Sequence, residues 1–249
     1  MIGIGVPAHD EQAHIGACLE ALLRAACHPD LQGEAVSVHV VLDACADATE
    51  EIVRRHAAPF EAARVALSWS AIDAGQVGAA RAAGARALLE QGARWLAFTD
   101  ADTRVSPQWL AAQLAQDADV VCGSVAVDDW SPHGDAAELL REHFSRTYHD
   151  RDGHRHIHGA NLGVRACAYL AAGGFAAVAC HEDVLLVKAL QDHGASFAWS
   201  AQPRVFTSAR TDARARGGFG DTILAVVAES LRLGRAAAPQ PEAMAAPAA

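Results

Sequence analysis

The chain has 249 residues, and 51% of them are hydrophobic, which is enough to bury the core of one large domain. Its formal net charge is -10, and no block of lysine or arginine forms the basic surface that a nucleic-acid-binding protein needs. No apolar stretch is long enough to cross a bilayer, and the six cysteines form no C-x-x-C pair, so we expect a cytoplasmic protein with reduced thiols.

The first part of the sequence alternates predicted strands with predicted helices. Short apolar runs predict strands at residues 2–6, 36–42, 65–69 and 95–98. Apolar residues at helical spacing predict helices at residues 11–26, 49–56 and 77–91, the last ending at Gly92. This rhythm is typical of a parallel sheet with right-handed crossovers.

The second part is less regular. We predict strands at residues 120–127, 196–200 and 204–207, and helices at residues 107–116, 136–148, 165–172, 184–193 and 222–233. Residues 149–159 are polar and rich in histidine, which indicates a loop, and the Ala- and Pro-rich residues 236–249 indicate a disordered tail. We expect one continuous sheet.

Two carboxylates, Asp100 and Asp102, follow the predicted strand at residues 95–98. In open α/β sheets ligands bind at the carboxyl ends of the strands, and two acids there can hold Mg²⁺ or Mn²⁺, which in turn can grip the phosphates of a nucleotide. The alternative is that the pair only caps the helix that begins near Ser106. The D-x-D pattern by itself does not decide between these interpretations.

Polar residues also follow the other predicted strands. Glu11 comes after the first strand, where Asp10 is expected to cap the next helix, and Asp43 ends the second strand, with Asp47 as the following cap. Arg81 lies just after the Gly-rich turn that follows the third strand and can meet a phosphate. Each has an ordinary alternative as a turn or cap residue, but all are expected at the same edge of the sheet.

The motifs VPAHDE, VVLDACADAT, GQVGAARAAGA, FTDADT, HGANLGVRACAYLAAGGF and HEDVLL occur in this order over residues 2–220. This ordered set resembles a family 2 glycosyltransferase. The resemblance implies an α/β fold of the GT-A (Rossmann-like) type, with a mostly parallel central sheet flanked by helices. It implies an inverting, hexosyltransferase-type enzyme that moves one sugar from a nucleotide diphosphate sugar to an acceptor hydroxyl, with Mn²⁺ or Mg²⁺ as cofactor.

The resemblance further implies a single domain over residues 1–235, with a nucleotide-binding half at 1–104 and an acceptor half at 105–235. The implied donor-binding residues are Pro7, Ala8, Glu11, Asp43, Arg81, Asp100, Ala101 and Asp102. Among these, Asp102 and Asp100 would hold the metal. The implied sugar and acceptor pocket consists of Gly159, Ala160 and Asn161.

Asp183 is the general base that the resemblance implies, with its neighbour Glu182 as the alternative. An inverting transfer needs a base within hydrogen-bond reach of the acceptor hydroxyl. Adjacent residues point in different directions, so only one of the two is expected to face the acceptor. The other interpretation of the pair is that it complements the N-terminus of the following helix.

The sequence departs from the family pattern in two places. Leu42 and Ala44 flank Asp43, where many members carry a second Asp, so the base of the donor is left open. No Q-x-x-R-W motif follows the predicted base, which favours transfer of a single sugar. In that region the candidates to close over the diphosphate are Arg210, Arg214 and Arg216, or the segment is a solvated basic turn.

His149, His154, His156 and His158 lie within ten residues of one another. They could form a zinc site, but a polar loop over the acceptor site is the favoured interpretation. The helix at residues 222–233 is explained by core packing and is also compatible with contact at a membrane surface. The acceptor is accordingly left open among a small molecule, a glycan and a lipid-linked molecule.

Two other functions fit parts of the sequence. A nucleotidyltransferase would share the acidic nucleotide site, but it normally shows a Gly-rich basic signature near the first strand, and neither that nor a P-loop occurs here. A protein of the same fold that only binds a nucleotide sugar would not need the carboxylates of Glu182 and Asp183.

Overall fold

The computed structural model describes residues 1–212, in which eight strands form one sheet in the order β3-β2-β1-β4-β7-β6-β8-β5. The strands are β1 (Ile2–Ala8), β2 (Val36–Asp43), β3 (Ala66–Ile72), β4 (Trp95–Phe98), β5 (Thr103–Val105), β6 (Val120–Ala126), β7 (Leu162–Arg165) and β8 (Phe197–Thr207). The helices are α1 (Ile15–Ala26), α2 (Thr49–Arg55), α3 (Ala57–Ala62), α4 (Val77–Glu90), α5 (Trp109–Leu114), α6 (Ala137–Thr147), α7 (Ala166–Ala171) and α8 (Glu182–Asp192). The predicted helix at 222–233, the predicted tail, Arg214 and Arg216 lie outside the described residues.

The four strands of the first part are parallel, as predicted from their alternation with helices. Ile4 of β1 pairs with Val38 of β2 on one side and with Ala97 of β4 on the other, and β3 pairs with β2. Strands covered by helices on both faces read as continuous apolar runs, and all eight residues of β2 are buried.

Two buried clusters lie on opposite faces of the sheet. Along β4, Trp95 and Ala97 belong to one cluster and Leu96 and Phe98 to the other, because successive side chains of a strand alternate between faces. The first cluster takes in α1 and α5, and the second takes in residues of α4, α7 and α8. This two-sided packing fixes the carboxyl ends of the central strands.

Antiparallel pairing extends the sheet in the second part. β7 lies between β4 and β6 and is antiparallel to both, whereas β8 is parallel to β6 and antiparallel to β5. The sequence did not predict β5 or β7, which have three and four residues. The two strands predicted at 196–200 and 204–207 are one strand, β8, with a register shift opposite Gly123 and Ser124.

The loop between β1 and α1 corrects one prediction. Asp10 does not cap a helix, because α1 begins only at Ile15 and the Oδ1 atom of Asp10 accepts hydrogen bonds from the backbone N–H groups of Ala46 and Asp47. The Oδ1 atom of Asp47 accepts the N–H of Thr49, the first residue of α2, but the N-cap position is Ala48, so Asp47 lies one residue before the position of the expected cap. Across residues 1–212, no helix combines the length and apolar character that crossing a membrane requires.

Candidate active site

A cavity of about 670 Å³ opens at the carboxyl ends of β1, β2 and β4. It brings together residues from both parts of the chain, which the sequence relates to one another only by the order of their motifs. The predicted site residues that line it are Pro7, Ala8, Glu11, Asp43, Arg81, Asp100, Ala101, Asp102, Gly159, Ala160, Glu182, Asp183 and Arg210.

Asn161 is the predicted pocket residue that does not line the cavity. Its side chain is fully buried, and its Nδ2 atom donates to the carbonyl oxygens of Ser124 and Pro203, both at 2.7 Å. Its Oδ1 atom accepts the indole N–H of Trp109 at 2.8 Å. The amide is therefore occupied in holding β6, β8 and α5 together, which corrects the expected pocket role.

The carboxylate of Asp43 organises the loop after β3. Its Oδ1 atom accepts the backbone N–H groups of Ala74 at 2.8 Å and Gly75 at 2.9 Å, and its Oδ2 atom accepts that of Gln76 at 3.0 Å. A carboxylate offers about four acceptor positions, so one of the four remains available here to a ligand. Asp43 therefore shapes the cavity wall and keeps limited capacity to contact a base or ribose.

Arg81 of α4 is buried at the centre of an ion-pair network, the Arg81 network. Its Nε atom donates to Glu182 at 2.9 Å, its Nη1 atom to the carbonyl oxygen of Gly159 at 3.0 Å, and its Nη2 atom to Asp100 at 2.5 Å. Arg81 thus makes three contacts within the chain, and its contact with a phosphate stays a prediction. A Cβ atom added at Gly159 would lie 2.4 Å from Nη2 of Arg81, so this close approach requires glycine.

Glu182 and Asp183, the two candidate bases, have different surroundings. Glu182 is buried against Arg81; burial raises its pKa, and the positive charge of Arg81 opposes that rise. Asp183 is half-buried, and its Oδ2 atom accepts the backbone N–H of Gly159 at 2.8 Å. The two side chains therefore do point in different directions, and Asp183 is the more accessible of them.

Arg210 lies against the other carboxylates of the cavity. Its two terminal nitrogens donate to the two oxygens of Glu11 at 2.8 and 2.7 Å, and its Nη2 atom lies 3.1 Å from Oδ2 of Asp102. Burial, and after it the charge of Asp100, raise the pKa of Asp102 to about 7, whereas Arg210 acts to lower it. Arg210 thus stands at the predicted metal-binding carboxylate.

One part of the cavity is aromatic and was not predicted from the sequence. Trp130, Phe144 and Tyr148 line it together with Leu140, and Leu140 and Phe144 are one helical turn apart on α6. The available signal was the spacing of apolar residues 140, 144 and 148 in an otherwise charged segment. That pattern predicts a helix face toward a core, and here part of the face borders a cavity.

The sequence matches the family model described as Glycosyl transferase family 2 over residues 4–169, well over half of the chain. The chain belongs to glycosyl transferase family 2. The resemblance found in the motifs is thereby confirmed, although the HEDVLL segment lies beyond the matched residues. No protein with a curated description matches the sequence.

Solved structures with similar folds are distant in sequence. A mannosyltransferase from Pyrobaculum calidifontis in complex with GDP-Man and Mn²⁺ has a TM-score of 0.60 at 17% identity, covering 96% of this chain and 76% of its own. S. aureus TarS 1-349 has a TM-score of 0.58 at 15% identity, and 84% of this chain is covered but only 60% of that one. Glucosyl-3-phosphoglycerate synthase from Mycobacterium tuberculosis with Mg²⁺ and UDP has a TM-score of 0.54 at 14% identity, over 97% and 81% of the two chains. These neighbours confirm the predicted α/β fold of the GT-A type.

The carboxylates of this family 2 chain suit a divalent metal. Within residues 1–212 no three His, Cys, Asp or Glu side chains are grouped as a complete metal site. Mg²⁺, however, is usually held by one or two carboxylates together with substrate phosphates, and Asp100 and Asp102 provide two at one edge of the sheet. The chemistry of this donor set therefore fits the metal that the family implies.

The histidine-rich segment contributes to the cavity wall of the family 2 domain through His156 and His158. Its side chains are engaged with one another and with the chain: His158 Nε2 lies 3.0 Å from the hydroxyl of Tyr148, and His154 Nε2 lies 3.3 Å from the carbonyl oxygen of Ser200. Burial, followed by the charges of His156 and His154, lowers the pKa of His158 to about 4. These contacts support the loop interpretation over the zinc site.

Proposed function

We propose that the chain is an inverting glycosyltransferase of the hexosyltransferase type, which transfers one sugar from a nucleotide diphosphate sugar to an acceptor hydroxyl. The observation that carries the proposal is the meeting, in one cavity, of the strand-end carboxylates Asp100 and Asp102 with Asp183 of the second half. A donor site and a base in one cavity are what such a transfer requires.

The donor half of the cavity would hold the nucleotide. Pro7, Ala8, Glu11 and Asp43 line it at the ends of β1 and β2, where ligands of open α/β sheets bind. The complexes of the P. calidifontis mannosyltransferase with GDP-Man and Mn²⁺, and of the M. tuberculosis synthase with UDP and Mg²⁺, support a nucleotide donor and a divalent metal. Bound by Asp102 and Asp100, the metal would stabilise negative charge on the leaving diphosphate.

Asp183 would accept the proton of the acceptor hydroxyl. At the same time the oxygen of that hydroxyl would bond to the anomeric carbon of the donor, and the bond between this carbon and the diphosphate would break. The N–H of Gly159 holds Oδ2 of Asp183 at 2.8 Å, which orients the carboxylate. The carbonyl of the same glycine accepts from Arg81, so the base is positioned by the Arg81 network. Arg210 would transfer its guanidinium contacts from Glu11 and Asp102 to the diphosphate.

Thermal-shift titration with UDP, GDP, ADP and CDP, each with and without Mn²⁺, tests the donor site. One nucleotide should raise the melting temperature, and Mn²⁺ should enlarge the shift, because a ligand that binds only the native state stabilises it. Incubation of the matching nucleotide sugar should then release the nucleotide diphosphate.

Asp102→Ala should remove the Mn²⁺ effect and the metal-dependent turnover. Asp128→Ala, at an exposed carboxylate paired with Arg104, should change neither and is the matched control. No shift with any nucleotide in folded protein would contradict the donor site, and binding without turnover of any sugar would favour a protein that only binds nucleotide sugars.

A further inference from the structure

Beyond the donor half, the cavity is bordered by an aromatic wall, which we define as Trp130, Phe144, Tyr148 and His156. The rings of Phe144 and Tyr148 are stacked with centroids 4.6 Å apart, and those of Tyr148 and His156 are stacked at 4.2 Å. Trp130 lies 5.7 Å from Phe144. The rings thus form a row in which each contacts the next. Tyr148 is stacked between Phe144 and His156, so its edge rather than its faces is left for another ring, and edge-to-face packing is an arrangement that aromatic rings favour.

The aromatic wall carries no fixed charge. Burial raises the pKa of Tyr148 to about 12 and lowers that of His156, so both side chains are neutral near pH 7. Among residues 1–212, the arginines that line the cavity are Arg81 and Arg210, and both are paired with carboxylates. No lysine of that part of the chain lines it. The rings of the aromatic wall therefore supply no cation that could pair with a phosphate or carboxylate on an acceptor.

The aromatic wall is connected to the proposed base by a short series of contacts. The hydroxyl of Tyr148 lies 3.0 Å from Nε2 of His158, and the next residue, Gly159, donates its N–H to Asp183. The Tyr148 hydroxyl also accepts the N–H of Val125 at 2.8 Å, which ties it to β6. These contacts and the shared cavity connect the aromatic wall to the carboxylate that would take the proton of an acceptor.

We propose that the aromatic wall is the acceptor subsite, and that it selects an uncharged acceptor whose reacting hydroxyl lies on or beside a ring. This inference rests on the proposed function and adds the substrate class. A sugar ring and an aryl ring share this chemistry, because the C–H face of a pyranose and the face of an arene both pack on aromatic side chains. The aromatic wall offers no charged partner for a phosphate group, so an acceptor bound there would be held through its ring.

Ligand-detected NMR of the whole protein tests the subsite without requiring turnover. The probes are methyl β-D-glucopyranoside, phenyl β-D-glucopyranoside and phenol as neutral rings, and 3-phosphoglycerate as an anionic acceptor without a ring. We expect saturation transfer to at least one neutral ring probe and none to 3-phosphoglycerate. Binding of the methyl glucoside indicates a sugar acceptor, and binding of phenol without it indicates an aryl acceptor.

Phe144→Leu removes one ring while keeping an apolar side chain, and it should weaken binding of the neutral probe about five- to tenfold. Leu139→Ala is the matched control, since Leu139 is exposed on α6 and does not line the cavity. Titration with UDP and GDP reports separately on the donor half. Preferred binding of 3-phosphoglycerate, or unchanged probe binding in Phe144→Leu, would overturn the inference even where nucleotide binding is intact. Failure of nucleotide binding with ring binding preserved would overturn the proposed function and the acceptor role with it, but would leave the ring-binding site standing.

Discussion

Asp183 and Glu182 are adjacent in sequence, but their carboxylates meet different partners and would have different roles. Glu182 is buried and paired with Arg81, whereas Asp183 accepts the backbone N–H groups of Gly159 and Val184 and is half-buried beside the cavity. A base must exchange a proton with a substrate, so the accessible carboxylate suits that role and the paired one suits positioning.

Asp183→Asn should abolish sugar transfer while keeping donor binding. The amide oxygen can still accept the N–H of Gly159, but the side chain can no longer take a proton, and a general base contributes about 10²- to 10⁴-fold to the rate. The check is the transfer rate together with the nucleotide-induced thermal shift. Asp192→Asn, at the exposed end of α8, serves as the control. A transfer rate near that of the unchanged protein would move the base to Glu182 or elsewhere.

Removal of Arg81 should destabilise the protein strongly. Arg81→Met leaves Glu182 buried without its partner, and breaking a buried ion pair on one side typically costs about 3–5 kcal/mol. Urea unfolding measures this loss, and Arg86→Met, at an exposed arginine of the same helix, should change stability little.

The double variant Arg81→Met with Glu182→Leu separates charge from packing. It removes the uncompensated buried carboxylate along with the arginine, so part of the lost stability should return. If the double variant is no more stable than Arg81→Met, the loss comes from the contacts of Arg81 with Asp100 and Gly159.

At the scale of elements, the loop that follows α6 should make stability depend on pH. The pKa of His158 falls from an ordinary 6.5 to about 4 through burial and the neighbouring His156 and His154. Protonation therefore favours the unfolded chain, so this contribution to stability is complete above about pH 6.5 and is lost as the pH falls toward 4.

The melting temperature should accordingly drop between pH 7 and pH 5, above the range in which most carboxylates titrate. His158→Gln should make that decrease shallower, whereas His193→Gln, at an exposed histidine after α8, should leave its slope unchanged. An equally steep decrease in His158→Gln would show that other groups cause it.

How well each element could be predicted depended on its length and its neighbours. β1, β2 and β4 lie in the middle of the sheet, so they are mostly apolar and the pattern finds them, although β2 also contains the buried polar residues Ser37 and His39. β5 and β7 are too short for a periodic signal, and their pairing with β8 and β6 is decided by packing. The sequence predicts the start of α1 four residues too early, because Asp10 resembles a capping residue. The groups that bind the Asp10 carboxylate, the N–H groups of Ala46 and Asp47, are distant in sequence and leave no local signal.

At the scale of the whole molecule, the site is assembled by contacts between distant parts of the chain. The positions of Asp43, Asp100 and Asp102 at one edge of the sheet could be predicted, because each follows a strand and the carboxyl ends of parallel strands lie at the same edge. The sequence pattern could not predict which charged side chains pair with each other. Arg81 and Glu182 are 101 positions apart, and Arg210 and Glu11 are 199 positions apart. Local sequence carries no signal for such pairs, and the fully buried position of Asn161 was hidden for the same reason.

The register shift in β8 determines where Arg210 lies relative to the cavity. Opposite β6, Ser200 pairs with Gly123 and Arg204 pairs with Ser124, so residues 201–203 form a bulge without partners on β6, and Asn161 donates to the carbonyl oxygen of Pro203 in this bulge. Beyond it, Thr207 pairs with Thr103, next to Asp102, and the chain then leads to Arg210. The bulge thus acts as a spacer of fixed length. Inserting or deleting one residue there would move Arg210 away from Glu11 and Asp102, although no residue of the cavity would have been substituted.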